Sequence, residues 1–419
     1  MKLPTLLLAT LASLLLGGCA SVSPLEVPER AYVSPYPIGF SPYCAENRGG
    51  QPGPIATLPR PAQQSSIPLS LAEELWIIPV ASTSDKTPSP CWIGQLLLDN
   101  DPQVVHESSS QITAAIVGPM AELTVTQKFA ASNSPRNATY LLPLDPAATP
   151  VDVVITTGKR TIRAIVRERA TAKKIYDAAK AQGLPAYLAR ADGLFSLALG
   201  NIPAREEITT NVTCVQWVRT VGSDFVFNLP DFHHAPAANL RRTVVSLNTG
   251  LPPESVTCSH HLEQSGPTSY FAWVEPGGAK PFSLRYSLAA ATPRVLEIVA
   301  PKSGVFAMCL CAPKTGPGKW LVDRTGSKSQ ELAPAVVGQP ALLSGQTVRP
   351  EVAWVEPGKD PVLVKPIEAG SSPNLVALFA RAKYDTLASQ TSTQDRLKLA
   401  LDFGLLTPET ALLAIDTAP

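Results

Sequence analysis

The sequence has little charge and few of the residues that usually perform chemistry. Asp, Glu, Lys and Arg make up 16% of the chain, the net charge is +1, and there are five histidines and three methionines. No basic run is present, which excludes an electrostatic surface for nucleic acid. Beyond the N-terminal segment, no apolar run approaches the length of about 18 residues that a membrane-spanning helix needs. We therefore predict a globular body with no nucleic-acid partner.

Short motifs of catalytic and metal-binding proteins are missing too. The sequence contains no Gly-x-Ser-x-Gly elbow, no His-x-x-x-His pair, no Cys-x-x-Cys spacing and no Gly-rich phosphate loop. The histidines instead include two adjacent pairs, at His233–His234 and His260–His261. We predict no catalytic residue, no metal and no cofactor. The alternative is a hydrolase that uses His233, His234 or His260 with a nearby carboxylate.

The N-terminus predicts the compartment. Residues 1–19 read MKLPTLLLATLASLLLGGC, with one Lys before an apolar stretch that is too short to cross a bilayer. Leu16-Gly17-Gly18-Cys19 is similar to the lipobox of bacterial lipoproteins, in which the Cys is acylated and becomes the new N-terminus. The resemblance implies lipidation at Cys19, and Ala20 after it implies the outer membrane, on the side of the periplasm. An ordinary secretory signal is the alternative.

Six further cysteines bear on the export prediction. An even number of cysteines in an exported chain favours disulfides, although the pairing cannot be read from the sequence. Cys309 and Cys311 would share one face of a strand, so we do not expect them to bond to each other without bending it. The possible disulfide cysteines are Cys44, Cys91, Cys214, Cys258, Cys309 and Cys311.

One short helix lies within a strand-rich region. Ala172, Ile175, Tyr176 and Ala179 fall at helical spacing and predict one apolar stripe, with Lys173 and Asp177 able to pair on the other side. Glu168 suits the positive start of such a helix, and Gly183 is placed to end it. Alternation of apolar and polar residues around Phe129, Phe195 and Phe225 predicts strands on both sides. A helix of this length needs a sheet to pack against.

These residues resemble a known family. The run from about Ile112 to Phe232 is similar to the VIT (vault protein inter-alpha-trypsin) domain, an all-β interaction module that usually precedes a von Willebrand factor A domain. The resemblance implies a VIT-like β-sandwich with one inserted helix and no catalytic residues. It is carried by Phe129, by Tyr140-Leu141-Leu142-Pro143-Leu144, by the series Arg167-Glu168-Arg169-Ala170, Tyr176, Ala179, Gly183, Ala186 and Leu188, and by Asn201-Ile202-Pro203-Ala204-Arg205-Glu206.

The A domain that the family would place next is largely missing. Trp320 to Ser327 resembles the opening of that domain, a buried strand that leads into metal ligands, with Asp323, Thr325 and Ser327 at the ligand positions. A cation site of that kind needs oxygen ligands from three loops. Only one loop is present, so a surface turn is the preferred interpretation. Metal-dependent adhesion through Asp323 is the alternative.

The chain is predicted to be mainly β, with a small helical region near its C-terminus. Stripes beginning at Leu375 and at about Gln394 predict two helices, and Thr407-Pro408-Glu409 predicts the start of a third. The predicted parts are a signal peptide at 1–18, a Pro-rich tether at 19–68, a VIT-like β domain at 69–300, a β segment at 301–370 and C-terminal helices at 371–419.

These inferences lead to one predicted function. We expect a membrane-anchored lipoprotein of the bacterial envelope that acts in protein–protein interaction or envelope assembly. Its predicted partners are the membrane, through the lipid anchor, and another envelope protein.

Overall fold

A computed structural model describes most of the chain beyond residue 66. The described residues are 67–70, 74–78, 94–99, 101–105, 107–142, 144–145, 147–191, 195–229, 241–274, 281–323, 330–332, 339–387 and 391–416. The predicted signal peptide and almost all of the tether lie outside these ranges. Strands dominate what is described, together with three helices, so the predicted mainly β fold is confirmed.

Ten strands precede the first helix. They are β1 (Ile67–Ser70), β2 (Leu75–Ile78), β3 (Gln95–Leu98), β4 (Asp101–Val105), β5 (Glu107–Val117), β6 (Met120–Phe129), β7 (Arg136–Leu142), β8 (Thr149–Thr157), β9 (Arg160–Arg163) and β10 (Ile165–Glu168). Helix α1 follows at Arg169–Ala181.

The remaining elements are mostly strands. The next ten are β11 (Ala186–Ala191), β12 (Phe195–Ile202), β13 (Ile208–Trp217), β14 (Arg219–Val221), β15 (Asp224–Leu229), β16 (Arg241–Asn248), β17 (Ser255–Cys258), β18 (His261–Gln264), β19 (Ser269–Val274) and β20 (Phe282–Ser287). The last described elements are β21 (Arg294–Val299), β22 (Val305–Cys311), β23 (Lys319–Asp323), β24 (Gln330–Glu331), β25 (Pro340–Gln346), β26 (Glu351–Val355), β27 (Val362–Leu363), β28 (Pro366–Ser371), α2 (Leu375–Leu387), α3 (Thr393–Asp402) and β29 (Thr410–Ile415).

The two largest sheets form a sandwich. The eight-stranded sheet has the order β18-β19-β16-β5-β6-β13-β8-β9, and the seven-stranded sheet has the order β10-β29-β11-β12-β7-β3-β4. Their inner faces share one hydrophobic core, in which the Phe129 and Tyr140 rings meet edge to face with centroids 5.9 Å apart. The four-stranded sheet β14-β15-β20-β17 adds Phe225 and Tyr286 to the same core.

A second pair of sheets lies beside this sandwich. The six-stranded sheet has the order β1-β2-β25-β22-β21-β28, and one of its faces packs on the four-stranded sheet β24-β23-β26-β27. The core between these sheets contains the Trp320 and Trp354 rings, with centroids 5.1 Å apart. Because β2 pairs with β25, the six-stranded sheet takes strands from both sides of residue 300.

The inserted helix α1 is confirmed. Glu168 caps its start by accepting a 3.2 Å hydrogen bond from the Thr171 N–H, and Gly183 lies just beyond its end with φ +78°. Lys173 and Asp177 form the expected ion pair, with 2.5 Å between Nζ and Oδ2. The buried stripe consists of Ala172, Tyr176 and Ala179.

The prediction for Ile175 was wrong. Its side chain is 40% exposed. The helix packs on β11 and β29 through Ala172, Tyr176 and Ala179 alone, so the buried stripe is narrow and Ile175 lies at its margin. Helical spacing alone does not give the width of a stripe.

The prediction of a third C-terminal helix was also wrong. Residues Thr410–Ile415 form β29, which pairs antiparallel with β10 on one side and with β11 on the other. Ala411 and Leu413 face α1, whereas Leu412 and Ala414 face the main core. A segment that is apolar on both faces suits a central strand better than a surface helix.

The residues expected to start that helix instead form a turn that leads into β29. The Thr407 N–H donates to Thr410 Oγ1 at 2.8 Å, and Thr410 Oγ1 donates to the Leu405 carbonyl oxygen at 2.7 Å. The other two tail helices are confirmed as α2 and α3, and Ser392 caps α3 by accepting a hydrogen bond from the Asp395 N–H at 3.1 Å. The region 371–419 therefore contains two helices and one strand.

Glu409 joins these helices to β29. Its carboxylate accepts hydrogen bonds from the Tyr384 hydroxyl, from Arg396 Nε at 3.0 Å and from Thr407 Oγ1 at 3.0 Å. Burial raises the pKa of Glu409, but the three hydrogen bonds together outweigh burial and hold the pKa below its ordinary value. The charged form of Glu409 is therefore favoured in the folded protein.

We expect Glu409→Gln to lower stability by about 1–3 kcal/mol near neutral pH. A carboxyl whose folded pKa is lowered contributes stability above its unfolded pKa, and that contribution is lost as the pH falls through the folded pKa. The difference between wild type and variant should therefore shrink below about pH 4. Urea unfolding at several pH values measures this. Asp177→Asn, in an exposed ion pair, serves as the control and should change little. A difference that is constant with pH would contradict the prediction.

Candidate interaction surfaces

Two rows of polar side chains cross the outer face of the eight-stranded sheet. Thr113 lies opposite Thr124, and Thr124 lies opposite Thr213, so these three hydroxyls share one row. The next row contains Gln111, Thr126 and Asn211. We call these six residues the hydroxyl face: Gln111, Thr113, Thr124, Thr126, Asn211 and Thr213. All six are at least partly exposed, and none is charged.

Hydrogen bonds order part of the hydroxyl face. Thr124 Oγ1 and Thr213 Oγ1 are 3.0 Å apart, and Asn211 Nδ2 donates to Thr126 Oγ1 at 3.0 Å. A pair of hydroxyls uses one of its two protons for this contact, and Asn211 keeps its carbonyl oxygen and a second N–H. The face therefore retains both donors and acceptors for a ligand.

An apolar and aromatic group continues the same face towards β18. Val244 lies opposite both Thr113 and Trp273, and the Trp273 ring centroid is 4.2 Å from that of His261. Phe271 lies on the same side of β19 and is 45% exposed. We call Val244, His261, Phe271 and Trp273 the aromatic edge. The Val244 position on β16 joins it to the polar rows.

A third exposed group lies on the second pair of sheets. Val362 is 60% exposed, Leu363 53% and Ile367 47%. These residues, which we call the edge strip, belong to β27 and β28, each of which ends its sheet among the described strands. Pro361 precedes the strip and Pro366 lies within it, and proline is common in strands at a sheet edge.

The sequence around the edge strip carries a signal of its exposure. Apolar residues between two prolines, with no alternation, indicate an edge strand that is not fully buried. The segment Ala-Trp-Val-Glu-Pro-Gly occurs twice, at 272–277 and at 353–358, and identical residues do not indicate that the two tryptophans differ in burial. Trp354 is buried between the sheets, whereas Trp273 lies on the partly exposed outer face.

The structure gives His260 a turn-forming role. Ser259 Oγ donates to the Pro281 carbonyl oxygen at 2.9 Å and accepts from the Ser283 N–H at 2.8 Å, while His260 Nδ1 lies 2.8 Å from the same oxygen. Because the single Ser259 proton is used by Pro281, the ring nitrogen must donate to the serine rather than accept from it. His233 and His234 lie outside the described residues.

Asp323 lies at the exposed end of β23. Thr325 and Ser327 fall outside the described residues. Within the part of the chain that the structure describes, no three His, Cys, Asp or Glu side chains come close enough to hold a metal ion.

The structure describes four of the six candidate disulfide cysteines, and all four are free thiols: Cys214, Cys258, Cys309 and Cys311. Cys309 and Cys311 share one face of β22, with 3.6 Å between their sulfur atoms. Burial raises the pKa of the Cys214 thiol well above its ordinary value. The predicted disulfides do not form among these four. Cys19, Cys44 and Cys91 lie outside the described residues.

The described helices have no membrane-spanning candidate, because none is both long and apolar enough.

Comparison with known proteins identifies one module. Residues 108–214 match the model of the vault protein inter-alpha-trypsin (VIT) domain. A von Willebrand factor A domain-containing protein of Dictyostelium discoideum is 30% identical over 137 residues, which are 32% of this chain and 15% of that protein. This chain therefore spans only a small part of that relative.

Two solved structures from Legionella pneumophila also align with this chain. The first, titled a nutrient binding protein, has a TM-score of 0.29 and 9% identity, and the match covers 48% of this chain and 73% of that one. The second, aminopeptidase A in complex with aspartic acid, has a TM-score of 0.27 and 10% identity, over 48% of this chain and 24% of that one. At these TM-scores neither likeness carries an argument about function.

Proposed function

Because this chain carries a VIT domain at residues 108–214, we propose that it is a lipid-anchored envelope protein that binds a protein partner and performs no catalysis. The domain indicates a role of the protein–protein interaction type. The anchor, the compartment and the binding surface are our proposal. Lipidation at Cys19 would hold the protein at the outer membrane, facing the periplasm.

The observation that carries the partner proposal is the concentration of exposed apolar surface in the edge strip. Three of the eight large apolar side chains that the described residues expose lie within six positions, Val362 to Ile367. Protein interfaces bury an apolar centre inside a polar rim, and here Lys365 and Glu368 are exposed beside the strip. An extended segment of a partner can also add to a terminal strand through main-chain hydrogen bonds.

The geometry of the Ser259–His260 pair supports the proposal that the protein is not a hydrolase. A serine nucleophile must give its proton to a base, but the Ser259 proton already goes to the Pro281 carbonyl oxygen. In addition, the serine accepts the Ser283 N–H, so its lone pairs are in use. This arrangement stabilises a turn between β17 and β18.

The partner-binding proposal is tested by pull-down. We expect wild type to recover a stoichiometric partner from detergent-solubilised envelope, and a Val362→Ser/Leu363→Ser variant to lose it without a change in thermal stability. Removing exposed apolar side chains deletes the centre of the interface but little folded-state packing. Leu401→Ser, at an exposed apolar position on α3, is the matched control and should keep the partner. Equal recovery by both variants would refute the assignment of the strip.

The anchor is tested separately. Cys19→Ser removes the thiol to which the acyl chains would be attached, and several chains are needed for durable membrane binding. We expect the variant to leave the membrane fraction after cell breakage, while wild type stays in it until detergent is added. Cys258→Ser, at a half-buried thiol far along the chain, is the control. A Cys19→Ser variant that fractionates like wild type would contradict lipidation.

A further inference from the structure

We propose that Cys309 and Cys311 form a reversible redox pair, which an oxidising disulfide converts into one strained disulfide bond within β22. Both cysteines are buried, and their sulfur atoms are in contact at 3.6 Å. The other two thiols of the described residues, Cys214 and Cys258, lie on β13 and β17, in two other sheets. The proposal rests on the proposed function for one point, which is that an exported protein meets oxidising disulfides.

The extended strand brings the two sulfur atoms together but does not favour a relaxed bond between them. Residues two apart in a strand have Cα atoms about 6.6 Å apart, near the upper limit of about 6.8 Å for disulfides. The sulfur atoms must also approach from 3.6 Å to about 2.05 Å, so the backbone between the cysteines has to bend. A strained disulfide is reduced more easily than a relaxed one, so this bond should open and close under mild conditions.

Oxidation takes place by two exchange steps with a disulfide R–S–S–R. Cys311 is the last residue of β22 and is close in sequence to the exposed Lys314, so fraying of this strand end exposes its thiol first. The Cys311 thiolate attacks one sulfur of R–S–S–R and forms a mixed disulfide, and the released RS⁻ takes the proton that Cys311 lost. The Cys309 thiolate then attacks the Cys311 sulfur, and the second RS⁻ takes the other proton. The two cysteine thiols are oxidised, and R–S–S–R is reduced to two RSH.

The folded protein limits this reaction to molecules in which the end of β22 has opened. The hydrogen bond with Cys311, together with burial, raises the pKa of the Cys309 thiol well above its ordinary value. In the closed strand Cys309 therefore keeps its proton, and a protonated thiol is not a nucleophile. We expect oxidation of the folded protein to be slow and its rate to follow the opening of the strand end.

Bond formation in β22 should affect the packing on both of its faces. The cysteine face belongs to the core of the main sandwich, which also contains Tyr286. The other face carries Leu310 and packs with Trp320 and Trp354. Bending of β22 therefore changes the surroundings of two buried indole rings. Tryptophan fluorescence reports this conformational change, whereas mass spectrometry reports the bond itself.

The proposal is tested on the reduced full-length protein, which is incubated with excess glutathione disulfide, alkylated with N-ethylmaleimide and digested with trypsin. The tryptic peptide of residues 303–314 contains Cys309 and Cys311 and no other cysteine. In wild type we expect this peptide to lose two hydrogen atoms and to take up no alkylating agent. Both thiols should return when the folded protein is moved to about 5 mM reduced glutathione. Tryptophan fluorescence should change on oxidation and recover on reduction.

Two variants and one unfolded sample serve as controls. Cys311→Ala removes the pair, so its fluorescence should not respond to glutathione disulfide, whereas Cys258→Ser should behave like wild type. Wild type unfolded in urea should oxidise within the same peptide, which shows that the reagents are active. A folded wild-type peptide that keeps two alkylated thiols would overturn the proposal. So would a bond that survives reduced glutathione, or one that forms without a change in fluorescence. These results come from the purified protein alone, so they do not depend on the anchor or on a protein partner.

Discussion

Leu412→Pro should cost most of the stability of this protein. Leu412 is buried in β29 and pairs with Val166 on one side and with Ala189 on the other. Proline removes a ladder hydrogen bond from a central strand, and the leucine side chain is lost from the core as well. Together these effects amount to about 5 kcal/mol or more. Because domains are stable by about 5–15 kcal/mol, much of the population should unfold.

Guanidinium unfolding monitored by tryptophan fluorescence, together with limited proteolysis, measures this loss. Leu363→Pro is the matched control, because Leu363 is exposed and lies in the edge strand β27. It should unfold close to wild type. If Leu412→Pro kept a wild-type midpoint, β29 could not be a central strand of the seven-stranded sheet.

Gly94→Ala should be the second severe substitution. The Tyr140 hydroxyl donates to Gln127 Oε1 at 2.7 Å, and Gln127 Nε2 donates to the Gly94 carbonyl oxygen at 3.2 Å, all within the core. A Cβ atom at position 94 would lie 2.2 Å from Gln127 Oε1 and 2.3 Å from the Tyr140 ring. The variant must move a buried hydrogen-bonded pair or break it, at a cost of about 3 kcal/mol.

Urea unfolding of Gly94→Ala tests this, with Gly266→Ala as the control. At Gly266 the nearest atom to a new Cβ is 3.8 Å away, so that substitution should be nearly neutral. Burial raises the pKa of Tyr140 above its ordinary value, which keeps its hydroxyl a donor at neutral pH. The wild-type hydrogen bonds of Tyr140 and Gln127 should therefore not depend on pH near neutrality. An unchanged urea midpoint for Gly94→Ala would contradict the prediction, because it would show that Tyr140 and Gln127 relax without cost.

Local signals in the sequence were sufficient for α1. The acidic residue at its start, its ion pair and its terminating glycine involve neighbouring residues, and all three lie where they were expected. Strand β29 could not be predicted in this way, because its identity depends on partners that are distant in the sequence. An apolar segment such as Thr410–Ile415 suits a buried strand and a buried helix equally well until those partners are known.

The surfaces were harder to predict than the core. Alternation identified the strands, but it did not show which outer face stays open. Trp273 and Trp354 occur in identical local sequences, yet only the second is enclosed by a facing sheet. Burial of an outer face depends on how the sheets stack, which no local pattern encodes. The exposure of the hydroxyl face, the aromatic edge and the edge strip depends on this stacking, so local sequence patterns could not predict it.

The position of β29 bears on when this protein can complete its fold. Strands β10 and β11 leave the ribosome long before Thr410–Ile415, and until then each lacks the neighbour it has in the finished sheet. Contacts that join such distant segments form slowly, and unpaired strand edges recruit other chains. A growing or prematurely terminated chain would therefore expose the unpaired edges of β10 and β11, beside the site where α1 packs on the sheet. The arrival of β29 thus gives both strands the neighbours that they have in the finished sheet.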